Sequence, residues 1–282
     1  MSLFRIGANM DALESLRSLY KINDELAVRN ARLASGKRIN TAKDDTAGYA
    51  IAMTLKSRKG GLTSALSNIQ NAKSILAIAE GGYQNQMDIL QTIKSKAVQA
   101  SDEALNTTQR TAIDGQVDEL IMELDDISDQ TKWNAASLIN GGTATFSFHV
   151  GADTNEELLV TMNTSTSASL SINAIAGSAA GATGLLAGVN AADDVIATVD
   201  SAIDSLASFI QSVGDTMVRL GKKQDFLSVS VANTDAVRST YEDADFAVEQ
   251  MESLKLQILQ QTAVSSLAQA NSAPQVVLGL FR

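Results

Sequence analysis

Residues 196–231 read IATVDSAIDSLASFIQSVGDTMVRLGKKQDFLSVSV. Within them Ile196, Val199, Ile203, Leu206, Ile210, Val213, Met217, Leu220, Gln224, Leu227 and Val231 recur at alternating steps of three and four, and only Gln224 is polar. An α-helix turns once every 3.6 residues, so this spacing puts all of them on one stripe. A stripe kept over about five heptads predicts a helix packed along its length against another helix. Such a helix of about 45 residues would be about 70 Å long at 1.5 Å per residue, which suits a rod rather than a globule.

Two earlier segments offer partners. Leu62, Leu66, Ile69, Ala72, Leu76, Ala79, Tyr83, Met87, Leu90, Ile93 and Ala97 step by threes and fours, as do Ile113, Val117, Leu120, Leu124 and Ile127. Asp44 and Asp45 suit a helix start, where carboxylates accept unpaired backbone N–H groups. Gly60-Gly61 and Gly81-Gly82 fall inside the first pattern, each costing about 1 kcal/mol against alanine. They read as places where another helix comes close, with a break at 60–61 as the alternative. Near residues 143–172 the period changes to two. Phe146, Phe148 and Val150 alternate with polar residues, and Leu158, Val160 and Met162 do so again, which predicts a β-hairpin with one apolar face. Residues 163–192, rich in Ser, Thr, Ala and Gly, are expected to form an exposed turn or small subdomain.

Composition narrows the function classes. The chain has 282 residues, a net charge of −10, one proline (Pro274) and no cysteine. Scarce proline permits long helices, and the missing cysteines exclude disulfides and thiolate metal sites. No basic patch interleaved with aromatics is present, so nucleic acid is not an expected partner. No run of eighteen apolar residues occurs, so membrane insertion is not expected. The first residues carry no charged leader with an apolar core, so no Sec-type signal is expected.

Chemistry-bearing patterns are weak. His149, the only histidine, lacks a His-Glu-x-x-His context. Glu123, Asp125, Asp126 and Asp129 flank apolar helix positions and read as a solvated face. Gly177, Gly181, Gly184 and Gly188 lack a P-loop lysine. No catalytic, cofactor-binding or metal residue is assigned, and the chain is not expected to be an enzyme. Asn106-Thr107-Thr108 and Asn163-Thr164-Ser165 are formal glycosylation sequons, but Ser/Thr O-modification of the exposed 163–190 tract is the preferred reading.

The ends differ from the middle. Ile6, Met10, Leu13, Leu16, Leu19, Ile22 and Leu26 predict an amphipathic helix. From Leu256 to Phe281 there is no charged residue, yet Gln, Ser, Thr and Asn dot the stretch. A lone helix of this kind has nothing to bury its leucines against, so it is expected to be ordered by partners and poorly ordered in a lone chain.

Two terminal stretches resemble those of bacterial flagellin. One is Ser35-Gly36-Lys37-Arg38-Ile39-Asn40-Thr41-Ala42-Lys43-Asp44-Asp45-Thr46-Ala47-Gly48-Tyr49-Ala50-Ile51-Ala52. The other runs from Glu242-Asp243-Ala244-Asp245-Phe246-Ala247 to Leu267-Ala268-Gln269-Ala270-Asn271-Ser272-Ala273-Pro274-Gln275. Gln130-Thr131-Lys132-Trp133-Asn134 and Val150-Gly151-Ala152 also resemble family tracts. The resemblance implies a mainly α fold: a long antiparallel coiled-coil helical rod from the N- and C-terminal parts, with a small β-hairpin region. It implies an inner domain of residues 1–43 plus 243–282 and an outer domain of 44–242, with a short variable tract at 163–192 in place of large outer domains. The function it implies is that of a self-assembling flagellar filament subunit, exported without cleavage and extracellular. A hook–filament junction protein and a secreted coiled-coil effector are the alternatives.

The partners so implied are further copies of the chain, a flagellar export chaperone, and filament cap and junction proteins. For subunit assembly the candidates are Arg32, Arg38, Asp44, Asp45, Asp243 and Asp245. The tract Leu90–Gln99 resembles the segment that family members present to an animal Toll-like flagellin receptor. Thr92, Ser95 and Lys96 replace the Arg, Glu and Leu of stimulatory members, so weak receptor contact is expected.

Overall fold

The computed structural model describes residues 9–141, 144–175 and 189–280, with side chains described for 9–141, 145–175 and 192–272. Gly177, Gly181, Gly184 and Gly188, and the second half of the expected variable tract with them, lie outside the described residues. The elements in chain order are α1 (Met10–Ser35), α2 (Thr46–Ala100), α3 (Thr107–Gln130), β1 (Lys132–Trp133), β2 (Ala136–Ser137), β3 (Ala144–His149), β4 (Glu157–Met162), α4 (Val189–Glu242) and α5 (Phe246–Leu280). The chain is mainly α, and it divides into two compact units, residues 1–59 with 232–282, and residues 60–231.

In the unit 60–231, α4 packs antiparallel to α2. Lys73 Nζ donates to Gln224 Oε1 over 2.7 Å, and Lys94 pairs with Asp200 at 2.5 Å. The heptad stripe is the buried one, but its two halves are unequal. Val199, Leu206, Val213, Leu220 and Leu227, spaced by seven, are buried, while Ile196, Ile203, Ile210, Met217 and Val231 are only partly covered. Ala192, Val195 and Ala202 are buried as well, so the N-terminal half of the stripe is rotated toward smaller side chains.

The buried stripe of α2 in this unit is Leu62, Ala65, Ile69, Ala72, Leu76, Ala79, Tyr83, Gln86, Leu90, Ile93, Ala97 and Ala100, with Ile75 and Gly82 buried beside it. The residues of the stripe alternate by three and four. The expected Leu66 and Met87 are displaced by Ala65 and Gln86, because helix geometry rather than side-chain size decides which residue faces in. Burying Gln86 demands partners, and its Nε2 donates to Leu124 O and Ser165 O over 3.0 and 3.1 Å. Tyr83 donates to Asn163 O over 2.6 Å, and burial pushes its phenol up to about 12.

α3 starts on a capping box of Asn106 and Gln109 and adds Ile113, Val117, Ile121 and Leu124 to the core. Both glycine pairs lie inside an unbroken α2. A helix is not what approaches them. A Cβ on Gly61 would stand 3.1 Å from Ala152 Cβ, and one on Gly82 would stand 2.8 Å from Thr131 Oγ1 and 2.9 Å from Ile139 Cδ1. Loops beside the hairpins therefore hold those two positions, while Gly60 and Gly81 face open space.

β3 and β4 form the expected antiparallel hairpin, with Phe146 opposite Val160 and Phe148 opposite Leu158. Those four residues rest on the helical core. The expected exposed tract is only partly exposed over its described part: Ala168, Ser169, Ser171, Asn173 and Ala174 are exposed. Leu170, Ile172 and Ile175 are buried, and Asp125 accepts from Ser167 N and Oγ over 2.7 and 2.6 Å. Asp125 is thus an anchor for this segment rather than part of a solvated face. A short hairpin of β1 and β2 turns through Asn134 and Ala135, both at positive φ.

Candidate assembly surface

In the unit of residues 1–59 and 232–282, α1 and α5 run antiparallel, and the two breaks between helices meet. The chain leaves α1 through Gly36 at φ 71, a left-handed cap that glycine adopts without Cβ strain. Arg38 N then donates to Glu242 O over 2.7 Å, and Ala244 N to Gly36 O over 3.0 Å, around a bridge between Lys37 and Asp243. Charged side chains surround this clamp. Lys37 pairs with Glu242 at 2.5 Å, Glu242 also holds Arg238, Arg238 pairs with Asp235 at 2.9 Å, and Asp235 pairs with Lys59 at 2.9 Å. Burial raises the Glu242 carboxyl, but Lys37 and Arg238 outweigh it and hold it below its ordinary value. Lys59 first, then Arg238, lowers Asp235.

The structure places each expected assembly residue at or beside this junction. Arg32 and Arg29 both reach Glu249, at 3.4 and 2.9 Å, and Glu249 is 5% exposed. Arg38 Nη2 donates to Tyr241 O over 2.9 Å. Asp44 Oδ2 accepts from Thr41 N over 2.9 Å and Asn40 N over 3.1 Å, and the Thr41 bond leads in lowering its pKa. Asp45 Oδ1 caps α2 through Gly48 N at 2.9 Å. Asp245 Oδ1 caps α5 through Ala247 N at 2.9 Å, and Asp243 accepts from Ser239 Oγ at 2.5 Å. All six therefore have partners within their own chain. Thr92 and Ser95 are exposed on α2, and Lys96 is half-buried there.

Sequence reading missed Arg29, Glu249, Lys37 and Glu242, and also the amide pair in which Gln260 Nε2 donates to Asn23 Oδ1 over 2.7 Å. The inner face of α5 is Glu249, Ser253, Leu256, Gln260, Ala263, Leu267 and Ala270, all buried or half-buried. It keeps the alternating four–three step, but its polar members hide it from an apolar count. α1 lays half-buried Leu16, Leu19, Ile22, Leu26 and Leu33 against it, and none of its residues is fully buried. On the opposite side of α5, Met251, Leu254 and Ile258 are 63%, 49% and 64% exposed.

A groove of about 300 Å³ between α1 and α5 is lined by Asp11, Glu14, Ser15, Ser18, Ala263 and Ser266. Among the described residues no three His, Asp or Glu lie together as metal ligands, and no helix is long and apolar enough to cross a membrane.

Paired ends, a thin seam between them and an outward apolar stripe define a helical structural protein. The pattern of the bacterial flagellin N-terminal helical region matches residues 6–144, and that of the bacterial flagellin C-terminal helical region matches residues 196–281. The chain is 32% identical over 283 residues to the flagellar filament 30.7 kDa core protein of Treponema maltophilum, covering 98% of this chain and 99% of that one. It is 31% identical over 291 residues to a flagellin of Listeria monocytogenes, with the same coverage. A solved structure from Vibrio parahaemolyticus, described as a flagellar hook-associated protein, shares the fold at TM-score 0.56 and 12% identity, over 71% of this chain and 100% of that one. The chain belongs to the bacterial flagellin family.

Proposed function

We infer that the chain is a structural subunit of the bacterial flagellar filament, self-assembling into a helical tube for motility. Family membership over both ends and filament-protein relatives along nearly its whole length support this. The observation that carries the mechanism is the outward stripe of Met251, Leu254 and Ile258. Leaving such a stripe in water forfeits roughly 1.5–3 kcal/mol per large side chain, which contact with another copy would recover. Repetition of a heterologous contact that does not close produces a filament.

In this reading residues 1–43 with 243–282 form the inner domain and residues 44–242 the outer one. The chain is exported, works outside the cell, and meets an export chaperone, a cap and junction proteins. It carries no enzymatic activity. Arg32, Arg38, Asp44, Asp45, Asp243 and Asp245 serve assembly by holding the junction in shape, and Thr92, Ser95 and Lys96 make receptor contact weak. Electron microscopy of purified protein after nucleation tests the central claim. Filaments are expected. Stable monomers would overturn it in favour of a hook–filament junction protein or a secreted coiled-coil effector.

A further inference from the structure

We propose that the outer face of α4 around Phe226 docks on the acidic outer face of α3 in a second copy of this chain. The proposal deepens the assembly reading and rests on it.

On α4, Val218, Lys222, Phe226 and Val229 follow one another by four, four and three, so they share one side of the helix. That side lies opposite the buried Leu220 and Leu227, and α2 does not cover it. Val218, Phe226 and Val229 are 64%, 63% and 60% exposed. Arg219 stands beside them, and Lys223 holds its ammonium 5.6 Å from the centre of the Phe226 ring. Asp215 and Asp225 adjoin the patch, which stays net positive with three bases against two acids.

Residues 60–231 hold 20 carboxylates and 8 basic side chains, and these charges are sorted rather than mixed. Three of the bases fall within 219–223, whereas α3 has seven of the acids and Arg110 as its single base. Glu119, Met122, Glu123 and Asp126 are exposed on one side of α3, with Met122 at 53%. Among the described residues none of Glu119, Glu123, Asp126, Arg219 and Lys222 has an ion-pair partner. Like charges four apart on a helix repel each other, so bases arriving from outside relieve Glu119 and Glu123. An exposed ion pair by itself contributes little. Phe226, its two valines and Met122 supply the apolar area, and the charges choose the partner and the register.

A second copy is the occupant because every chain carries both faces. They lie at different heights along α2. The Lys73 bond sets Gln224 of α4 beside residue 73, and the Gln86 bond sets Leu124 of α3 beside residue 86. The 13 residues of helix between those levels span about 20 Å. Parallel copies joined through these faces are therefore displaced by about 20 Å at each step, so the contact repeats without closing.

The test reverses each face separately in the full chain: Arg219→Glu with Lys222→Glu, and Glu119→Lys with Glu123→Lys. All four positions except Lys222 and Arg219 lie on α3, and all are exposed, so helicity by circular dichroism is expected to match the parent. Polymer is measured by sedimentation and electron microscopy after nucleation. Each reversed chain alone is expected to yield at least tenfold less polymer than the parent. An equimolar mixture of the two is expected to recover polymer to within about threefold of the parent, because each reversed face then meets its opposite. Either reversed chain polymerising like the parent overturns the proposal. So does a mixture as depleted as its components. If a reversed chain loses helicity, the neutral pairs Arg219→Gln with Lys222→Gln and Glu119→Gln with Glu123→Gln take its place. A loss of threefold or more then supports the contact, and a smaller one overturns it. Missing filaments from the parent would refute the assembly reading itself, whereas parent filaments with indifferent reversals would refute this contact alone.

Discussion

At Gly48 a Cβ would stand 2.5 Å from Asp45 Oδ2 and 2.7 Å from Ile39 Cδ1. Asp45 is the cap of α2, and Ile39, 3% exposed, anchors the connector. Gly48→Ala must push one of them aside and is expected to destabilise the terminal unit by about 1–3 kcal/mol, read from denaturant unfolding. Asp114 behaves differently. It is 7% exposed on α3, its Oδ1 has no hydrogen-bond partner, and burial first, then Asp118, raises its pKa. A carboxyl raised in the folded state subtracts stability once pH exceeds its folded pKa, and the deficit disappears as pH falls to its unfolded value. Asp114→Asn is therefore expected to raise the melting temperature at pH 7. Below the ordinary carboxylate range it should change nothing. Asp44 has the opposite sign. Its lowered pKa supports folding above the unfolded value and loses that support as pH falls through the folded one.

Helix by helix, the sequence was legible where side chains are large and apolar. The seam of α4 stood out because eleven positions keep one period, and the β-hairpin because its period is two. What the period does not reveal is depth. Leu206 and Met217 look equivalent in sequence, yet Leu206 is fully buried and Met217 only partly. Leu206→Ala is expected to cost about 2–5 kcal/mol, and Met217→Ala clearly less, in parallel urea melts. Gln86 was missed because a glutamine inside a core has no apolar signature. Its selection rests on carbonyls of Leu124 and Ser165, remote in sequence. The buried half of residues 163–175 was missed for a related reason. Three isoleucines and leucines among serines show no period, but Asp125, Gln86 and Tyr83 fasten the segment from below.

For the molecule as a whole, the family was legible at the chain ends. Of the charged candidates near the junction, all but Arg32 lie within the terminal signatures. The outward face of α5 needed the structure, since only the identity of the inner face reveals which side is left over. Met251→Glu with Ile258→Glu is expected to leave helicity near that of the parent and to abolish filaments by electron microscopy. Normal filaments would move the contact elsewhere.

The clamp between residues 36–39 and 242–244 has one more consequence. Two backbone segments lie side by side there, joined by their own hydrogen bonds and by ion pairs. A single cut between Lys43 and Asp44 would sever the chain but not the contacts of α1 with α5. The two pieces are expected to migrate together in native conditions and to part only in detergent. Recovery of the complex from a synthetic N-terminal peptide and the remainder is the expected outcome of that cut.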